Sequence, residues 1–444
     1  MIKRNPPNCK FENKKIIFES YISEFTSELY KEFDRKADNL SLHTKIDDLL
    51  NGKKVNYTEN LAAWHPKYRH EYDSVSLDTP SNKSQHIKLS NLDDLCKAAQ
   101  NIVSIGIGGS FEGPKMLLES IELGNENTNF IFITGSDLSE FIIKTKKLNP
   151  NDTIFIVSSK SFKTEETISI LKQAISWSGE IDRFIAITAN KDEAKKYNLK
   201  NIIEFDQEIG GRYSIWSEIS ALIFSLKKEQ FDAFMAGGKQ ADFDLKKNKE
   251  YLKFVKNLAY SDIWLHNFKK KYSRAVLTYA WNLRSFPSYI QQLEMESLGK
   301  QPSKDSEFKK TGQIIFGGYG PRAQHSYFQL LHQGTHNICA DIIVDKEYKK
   351  TLAYAQAISQ SKLMSEGADA LKDHEKINAS IPTNIFFIDS SSSYDLGYLL
   401  ATWEHRTYIA SVMLGINPFD QFGVNAGKIY TKKYINKKII NQKN

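Results

Sequence analysis

The sequence predicts an α/β protein built on two doubly wound parallel sheets, with an N-terminal helical segment and a C-terminal helical tail. Three observations carry that expectation. Short apolar runs alternate with helix-length stretches from residue 102 to 205, and a second series of the same kind spans 275–388. The runs are continuously apolar, as strands of a parallel sheet covered on both faces should be. The 444 residues exceed what one hydrophobic core usually serves, so two α/β units are the natural reading.

The elements follow in chain order. Residues 10–50 read as largely helical, because Phe18, Ile22, Phe25 and Leu29 recur at spacings of four and three. Asn56–His65 reads as a short helix stopped by Pro66, and the polar, Pro80-containing stretch 75–92 as a connection. Strands are expected at 102–108, 129–134, 153–157, 184–188 and 201–205, with helices at 114–120, 138–146, 164–177, 191–197 and from about Tyr213. Helices near 229–240 and 247–270 bridge to strands at 275–278, 313–316, 337–344 and 384–388. Further helices are expected near 287–295, 323–333, 349–365 and 394–413, and the lysine-rich end reads as a solvated terminal helix. The domain limits expected from this pattern are 1–92 for the N-terminal segment, 93–228 and 229–427 for the α/β units, and 428–444 for the tail.

Composition narrows the function. No run approaches the ~18 apolar residues that a membrane span needs. Met1-Ile-Lys-Arg-Asn-Pro-Pro7 has no apolar stretch behind its charges, so no signal peptide and a cytoplasmic protein are expected. Cys9, Cys96 and Cys339 are too scattered for a disulfide framework or a zinc site. A net charge of +7 without an arginine-rich stripe argues against nucleic acid and permits an anionic small substrate.

Several loops could carry chemistry. In Tyr289–Lys300, Glu294 and Glu296 lie two residues apart near the end of a helix that has Pro287 in its first turn. Either acid could shuttle a proton if held in a cleft, or both could be ordinary surface groups. Ser104–Ser110 ends the first strand with Gly106, Gly108 and Gly109. It lacks the third glycine of a dinucleotide fingerprint and the Gly-Lys-Ser/Thr of a P-loop. It fits either a loop facing an anion or sugar, or a plain tight turn. Ser158-Ser-Lys-Ser-Phe-Lys-Thr164 gathers hydroxyls and ammonium groups just ahead of a helix, more than one N-cap needs, and suits a phosphate. Arg212 sits on the glycine turn Gly210-Gly-Arg-Tyr-Ser214, where it could stabilise an oxyanion or be a surface arginine. His325 opens an expected helix, with His332 two turns on as a packing residue, and Lys428 follows Gly427 near the chain end.

Taken together, six segments resemble the phosphoglucose isomerase family. These are Gly106-Ile-Gly-Gly-Ser110, Ser159-Lys-Ser-Phe-Lys-Thr-Glu-Glu-Thr167, Gly210–Ser214, Met295-Glu-Ser-Leu-Gly-Lys300, Gln324–Gly334 and Phe419-Asp-Gln-Phe-Gly-Val-Asn-Ala-Gly-Lys428. They occur in the family's order, and Thr58–His65 also resembles its N-terminal part. Departures fall beside the reacting positions: Ser161, Lys163, Leu298, Pro321-Arg322-Ala323, Phe422 and Asn425 differ from the family pattern.

The resemblance implies a sugar-isomerase (SIS) fold in both α/β units and reversible isomerisation of glucose 6-phosphate and fructose 6-phosphate, a reaction of glycolysis and gluconeogenesis. It assigns the sugar phosphate to Ser159, Lys160, Ser161 and Thr164. His325, with Lys428 near it, opens the ring; Glu296 carries a proton between C2 and C1 through a cis-enediol; Arg212 stabilises the developing charge. Gly109, Ser110, Gln292 and Gln421 match positions near the sugar, and Glu166 one that orients the histidine. The implied chemistry only redistributes protons, so no cofactor or metal is expected. A homodimer with a shared site is implied, because the family's histidine comes from the partner subunit. On this reading Glu294 is an ordinary helix-end acid.

Overall fold

The computed structural model describes residues 4–13, 15–72, 94–121 and 128–441, so the connection expected at 75–92 lies outside the described residues. The chain opens on an antiparallel hairpin, β1 (Cys9–Glu12) and β2 (Ile17–Tyr21), then α1 (Ser27–Asn39), α2 (Leu42–Leu50) and α3 (His65–Glu71). Among the described residues a helix through 94–98, α4, leads into the first sheet. There β3 (Asn101–Ile105), α5 (Glu112–Ser120), β4 (Asn129–Ile133), α6 (Leu138–Thr145), β5 (Thr153–Ser158), α7 (Glu165–Ser178), β6 (Phe184–Thr188), α8 (Lys191–Lys195) and β7 (Asn201–Glu204) alternate as the sequence predicts.

All pairings in this sheet are parallel, in the order β4-β3-β5-β6-β7. From β3 the chain steps outward to β4 and then returns to the other side of β3 as β5. The topological switch therefore falls between β3 and β5, where an open α/β sheet forms its ligand crevice at the carboxyl ends of the strands. The loops that leave those two ends are the glycine turn at 106–110 and the hydroxyl-rich loop at 158–164.

Tight 3-10 turns over Gly211–Trp216 and Glu218–Ser220, rather than the expected helix, lead to α9 (Ala221–Leu226) and the long α10 (Lys228–Lys247) and α11 (Lys249–Asn267). Asn248 separates the two long helices because its side chain accepts from Glu250 N and Tyr251 N and so caps the second. The second sheet comes from β8 (Ser273–Thr278), α12 (Phe286–Leu298), β9 (Ile314–Tyr319), α13 (Gly320–Gln324), α14 (Phe328–Gln333), β10 (Ile338–Asp345), α15 (Leu352–Glu366) and β11 (Thr383–Ile388). Two C-terminal helices follow, α16 (Ser393–Leu414) and α17 (Asn425–Asn441).

The second sheet runs β1-β2-β11-β10-β8-β9, with its last four strands parallel and the N-terminal hairpin added antiparallel to β11. This corrects the helical reading of the first residues. Ile16, Phe18 and Ser20 bury alternate positions, the period of a strand, and only the chain after Thr26 becomes helical. Pro66 likewise begins α3 instead of ending a helix, because its missing N–H falls in a first turn where none is needed.

One apolar core joins both units through α10, α11 and α16, and α16 is buried at every residue from Asp395 to Leu414. A charged group within it ties the N-terminal segment down. Buried Arg69 on α3 donates to both oxygens of Asp242 on α10 at 2.6 and 2.8 Å, and to Glu404 on α16 at 2.6 Å. At the start of α3, His65 stacks on Tyr213 with ring centroids 4.4 Å apart. That contact brings the 56–65 segment against the Gly211–Trp216 turn.

Candidate active site

A cavity of about 450 Å³ opens at the switch point of the first sheet. One wall is the 158–164 loop. Phe162 is buried there in the left-handed region at φ 50°, a costly conformation for a bulky side chain that the packing beneath it holds. Its effect is to present Ser159, Lys160 and Thr164 to the cavity, with Ser159 Oγ 3.2 Å from Thr164 Oγ1. Thr164 stands at the N-terminus of α7, whose first-turn N–H groups favour an anion. Lys160 Nζ donates to Ile209 O at 3.0 Å; burial lowers its pKa, against the opposing pull of Glu59 and Asp206. Ser161 is exposed on the rim, where its Oγ accepts from Lys163 N, and it does not line the cavity.

The glycine turn makes the second wall. A Cβ on Gly109 would stand 1.9 Å from Gly211 O, and Gly108 has φ 60°, so the chain can pass the Gly210-Gly211 turn only as glycine. Ser110 follows in the same wall.

Arg212 leaves that contact pointing inward. It is 2% exposed, which corrects the expectation of an exposed arginine. Nε donates to Ser297 Oγ at 3.0 Å; Nη1 donates to Glu296 Oε2 and Gln421 Oε1, both at 3.1 Å. Nη2 donates to Asp420 O at 2.6 Å and Pro418 O at 3.1 Å. Every N–H of the guanidinium is engaged, and Tyr289 Oη holds its own carbonyl at 2.8 Å. The group is fixed in place before any ligand arrives.

α12 runs longer than expected, through Leu298, so Glu296 sits in its last turn instead of beyond it. The carboxylate faces the cavity, a third exposed, and also accepts from Gln292 Nε2 at 3.4 Å. Gln292 Oε1 and Thr167 Oγ1 are buried atoms of the cavity lining without a hydrogen-bond partner among the described residues, an arrangement that suits a polyhydroxylated ligand. Glu166, Gln421 and Lys428 also line the cavity, with Lys428 in the first turn of α17.

Two expected features differ. His325 does not reach this cavity: it ends α13 on an exposed corner, and the single helix expected at 323–333 breaks there into α13 and α14. Glu294 is not an ordinary surface acid. It is 4% exposed, paired with Arg274 and accepting from Trp403 Nε1. Sequence reasoning assigned no role to Asn56, Glu59, Glu208, Ser297, Tyr213 or Lys300. Asn56, Glu59 and Glu208 line the cavity; Ser297 bonds both Arg212 Nε and Tyr213 Oη. The available signals were the position of Ser297 and Lys300 inside the same motif as Glu296, of Tyr213 beside Arg212, and of Glu59 in the Thr58–His65 segment.

Comparison with known proteins places the chain. The family model "Phosphoglucose isomerase" matches residues 21–444. A glucose-6-phosphate isomerase of Legionella pneumophila (strain Paris) is 34% identical over 420 residues, covering 88% of this chain and 83% of that protein. In fold, a glucose-6-phosphate isomerase from Chlamydia trachomatis superposes with a TM-score of 0.87 over 97% of this chain and 90% of its own, at 22% identity. The tagatose-6-phosphate ketose/aldose isomerase of Escherichia coli shares the architecture more distantly, with a TM-score of 0.54 over 80% of this chain and 95% of its own, at 12% identity. With its sheet order, its switch-point cavity and a model match over nearly its whole length, the chain belongs to the phosphoglucose isomerase family.

Proposed function

We propose that this chain interconverts glucose 6-phosphate and fructose 6-phosphate, as a homodimer in the cytoplasm. One observation carries the reading: a single cavity has the hydroxyl-rich loop and helix N-terminus on one side and the fixed Arg212–Glu296 pair on the other. The phosphate binds Ser159, Lys160 and Thr164, with Ser161 from the rim, and its charge favours the ammonium form of Lys160. The sugar lies against Gly109, Ser110, Gln292 and Gln421. Ring opening moves a proton off one hydroxyl and onto the ring oxygen, through His325 of the partner subunit with Lys428 beside it, and Glu166 orients that imidazole.

Glu296 then removes the C2 proton of the open-chain aldose. Electron density moves to O1, and Arg212 and Lys428 offset the charge of the resulting enediolate. The proton of the C2 hydroxyl passes to O1 as C2=O forms, and the same carboxylate returns its proton to C1, which gives the ketose. Because Glu296 both takes and gives the proton, no external acceptor enters the balance. The exposed position of His325 and the exposed apolar face of α17 (Ile429, Tyr430, Tyr434) support assembly with a second copy. Free Cys9, Cys96 and Cys339 suit the cytoplasm.

The test is a coupled assay of the purified chain with fructose 6-phosphate against mannose 6-phosphate. Turnover of fructose 6-phosphate is expected; its absence overturns the reading, and faster turnover of mannose 6-phosphate replaces the substrate. Monomers isolated by sedimentation should be inactive.

A further inference from the structure

We propose that Lys300 is a positioning residue for this isomerisation: it ties the end of α12 to the Asn417–Gln421 segment and so holds the Arg212 guanidinium against Glu296. The inference rests on the isomerase reading above.

The Asn417–Gln421 segment is half of what holds Arg212. Its carbonyls at Pro418 and Asp420 accept from Nη2, and its Gln421 side chain accepts from Nη1. The other half is α12, through Glu296 and Ser297. Lys300 stands just past α12 and bridges the two halves. Its Nζ donates to Asn417 O and lies 3.2 Å from Asp420 Oδ1. From the opposite side, Thr58 Oγ1 donates to Asp420 Oδ2 at 2.8 Å, and Asn417 Nδ2 donates to Asn56 Oδ1 and Thr58 Oγ1 at 2.8 and 2.7 Å.

A second cavity, of about 700 Å³, explains why the tie matters. It is lined by Tyr57, Met295, Lys300, Ile416, Asn417, Asp420 and others, so the segment borders open space on the Lys300 side, while Phe419 packs against His65, Tyr213 and Tyr408 on the other. Lys300 supplies a directed constraint there. Without it, the Asp420 carboxylate keeps one tether, through Thr58, and the carbonyl at Asn417 none among the side-chain contacts described. The two carbonyl acceptors of Arg212 then lose their register with Glu296, and a displacement on the order of 1 Å suffices to cost catalysis ~10²-fold.

The ammonium is also titratable near the working range. Burial lowers its pKa to about 8, with Arg212 pushing the same way and Asp420 and Glu296 opposing. The Tyr57 phenol on the facing segment is itself raised, by burial and then by Asp420, and stays neutral there. Above its pKa Lys300 loses the charge that holds Asp420, so kcat falls as pH rises through about 8.

Steady-state kinetics on fructose 6-phosphate, with a pH profile, test this. Lys300→Met is expected to lower kcat roughly 10–100-fold with KM changed less than about threefold, since the loss falls on the transition state. Lys300→Arg should restore most of kcat and carry the alkaline fall to higher pH, because a guanidinium does not titrate there. Asp420→Asn leaves the Asp420 carbonyl on Arg212 in place and provides the test if Lys300→Met does not fold. It should move the alkaline fall to lower pH. An unchanged kcat in Lys300→Met, or an alkaline limb that neither Lys300→Arg nor Asp420→Asn moves, overturns the inference. A wild type without turnover overturns the isomerase reading together with it, whereas an active wild type with unmoved variants overturns this inference alone.

Discussion

Glu294 and Glu296 leave the last turns of one helix for opposite environments. Glu294 is buried against Arg274 and Trp403, in a cluster where Arg274 also reaches Asp262 at 2.7 Å and Arg406 reaches Asp341 at 2.8 Å. Glu296 faces the cavity, with Arg212 as its ionic partner. Two residues along a helix turn a side chain by about 200°, so one acid serves the core and the other the site. Glu294→Ala leaves Arg274 with Asp262 and Asp341 but strips the buried Trp403 Nε1–H of its acceptor, and should cost about 1–3 kcal/mol of stability. Urea unfolding measures it; a loss under about 1 kcal/mol contradicts the structural role given to Glu294.

Glu296→Gln keeps the side-chain shape and an oxygen for Arg212 but removes the base. The variant should fold with a melting temperature near that of the wild type and bind fructose 6-phosphate. Its kcat should fall by roughly 10²–10⁴-fold, the contribution of a positioned general base. Calorimetric binding beside single-turnover kinetics separates the two effects. Retained turnover would remove Glu296 from the proton transfer.

Gly109 is the point at which two loops of the site touch. A methyl group there meets Gly211 O at 1.9 Å, and both neighbours are backbone, so neither loop can yield without shifting the site. Gly109→Ala should therefore destabilise the fold by about 1–3 kcal/mol, the usual cost of overpacking, and raise KM for the phosphosugar through the displaced Arg212 turn. Wild-type KM in the alanine variant would show that the turns can separate freely.

How far the sequence disclosed all this depends on the range of the interaction. The first sheet was legible strand by strand because β5 and β6 are buried throughout and read as continuous apolar runs. The N-terminal hairpin was not. Phe18, Ile22, Phe25 and Leu29 look helical in spacing, but Phe18 belongs to β2 and Leu29 to α1, and they reach one core from separate elements. Buried Ser20 also breaks the apolar alternation that marks a strand. Arg212 posed the opposite problem. Its glycine turn was visible, but its burial depends on acceptors at 296–297 and 418–421, which only the tertiary fold brings together. Motif order named Ser159, Lys160, Thr164, Arg212, Gln292, Glu296, Gln421 and Lys428 of the cavity lining but not Asn56, Glu59 or Glu208, and the roles of Glu294 and Lys300 required knowing what lies beside them.

His266 near the end of α11 is 8% exposed, and its ring meets Tyr272 edge-on at 5.6 Å. Burial lowers its pKa to about 4, with Lys310 and Arg274 adding to the shift and Asp262 opposing it. The unfolded chain takes up a proton there near the ordinary histidine value of 6.5, while the folded chain resists until about 4. The stabilising contribution is therefore complete above about 6.5 and is lost progressively as pH falls toward 4. Discounted for partial solvent screening, it amounts to on the order of 1 kcal/mol between neutral pH and pH 5. Urea midpoints at pH 7.5 and pH 5 for the wild type and His266→Gln measure it. The variant should lose less stability than the wild type on acidification, and an equal loss in both would assign the acid sensitivity to other groups.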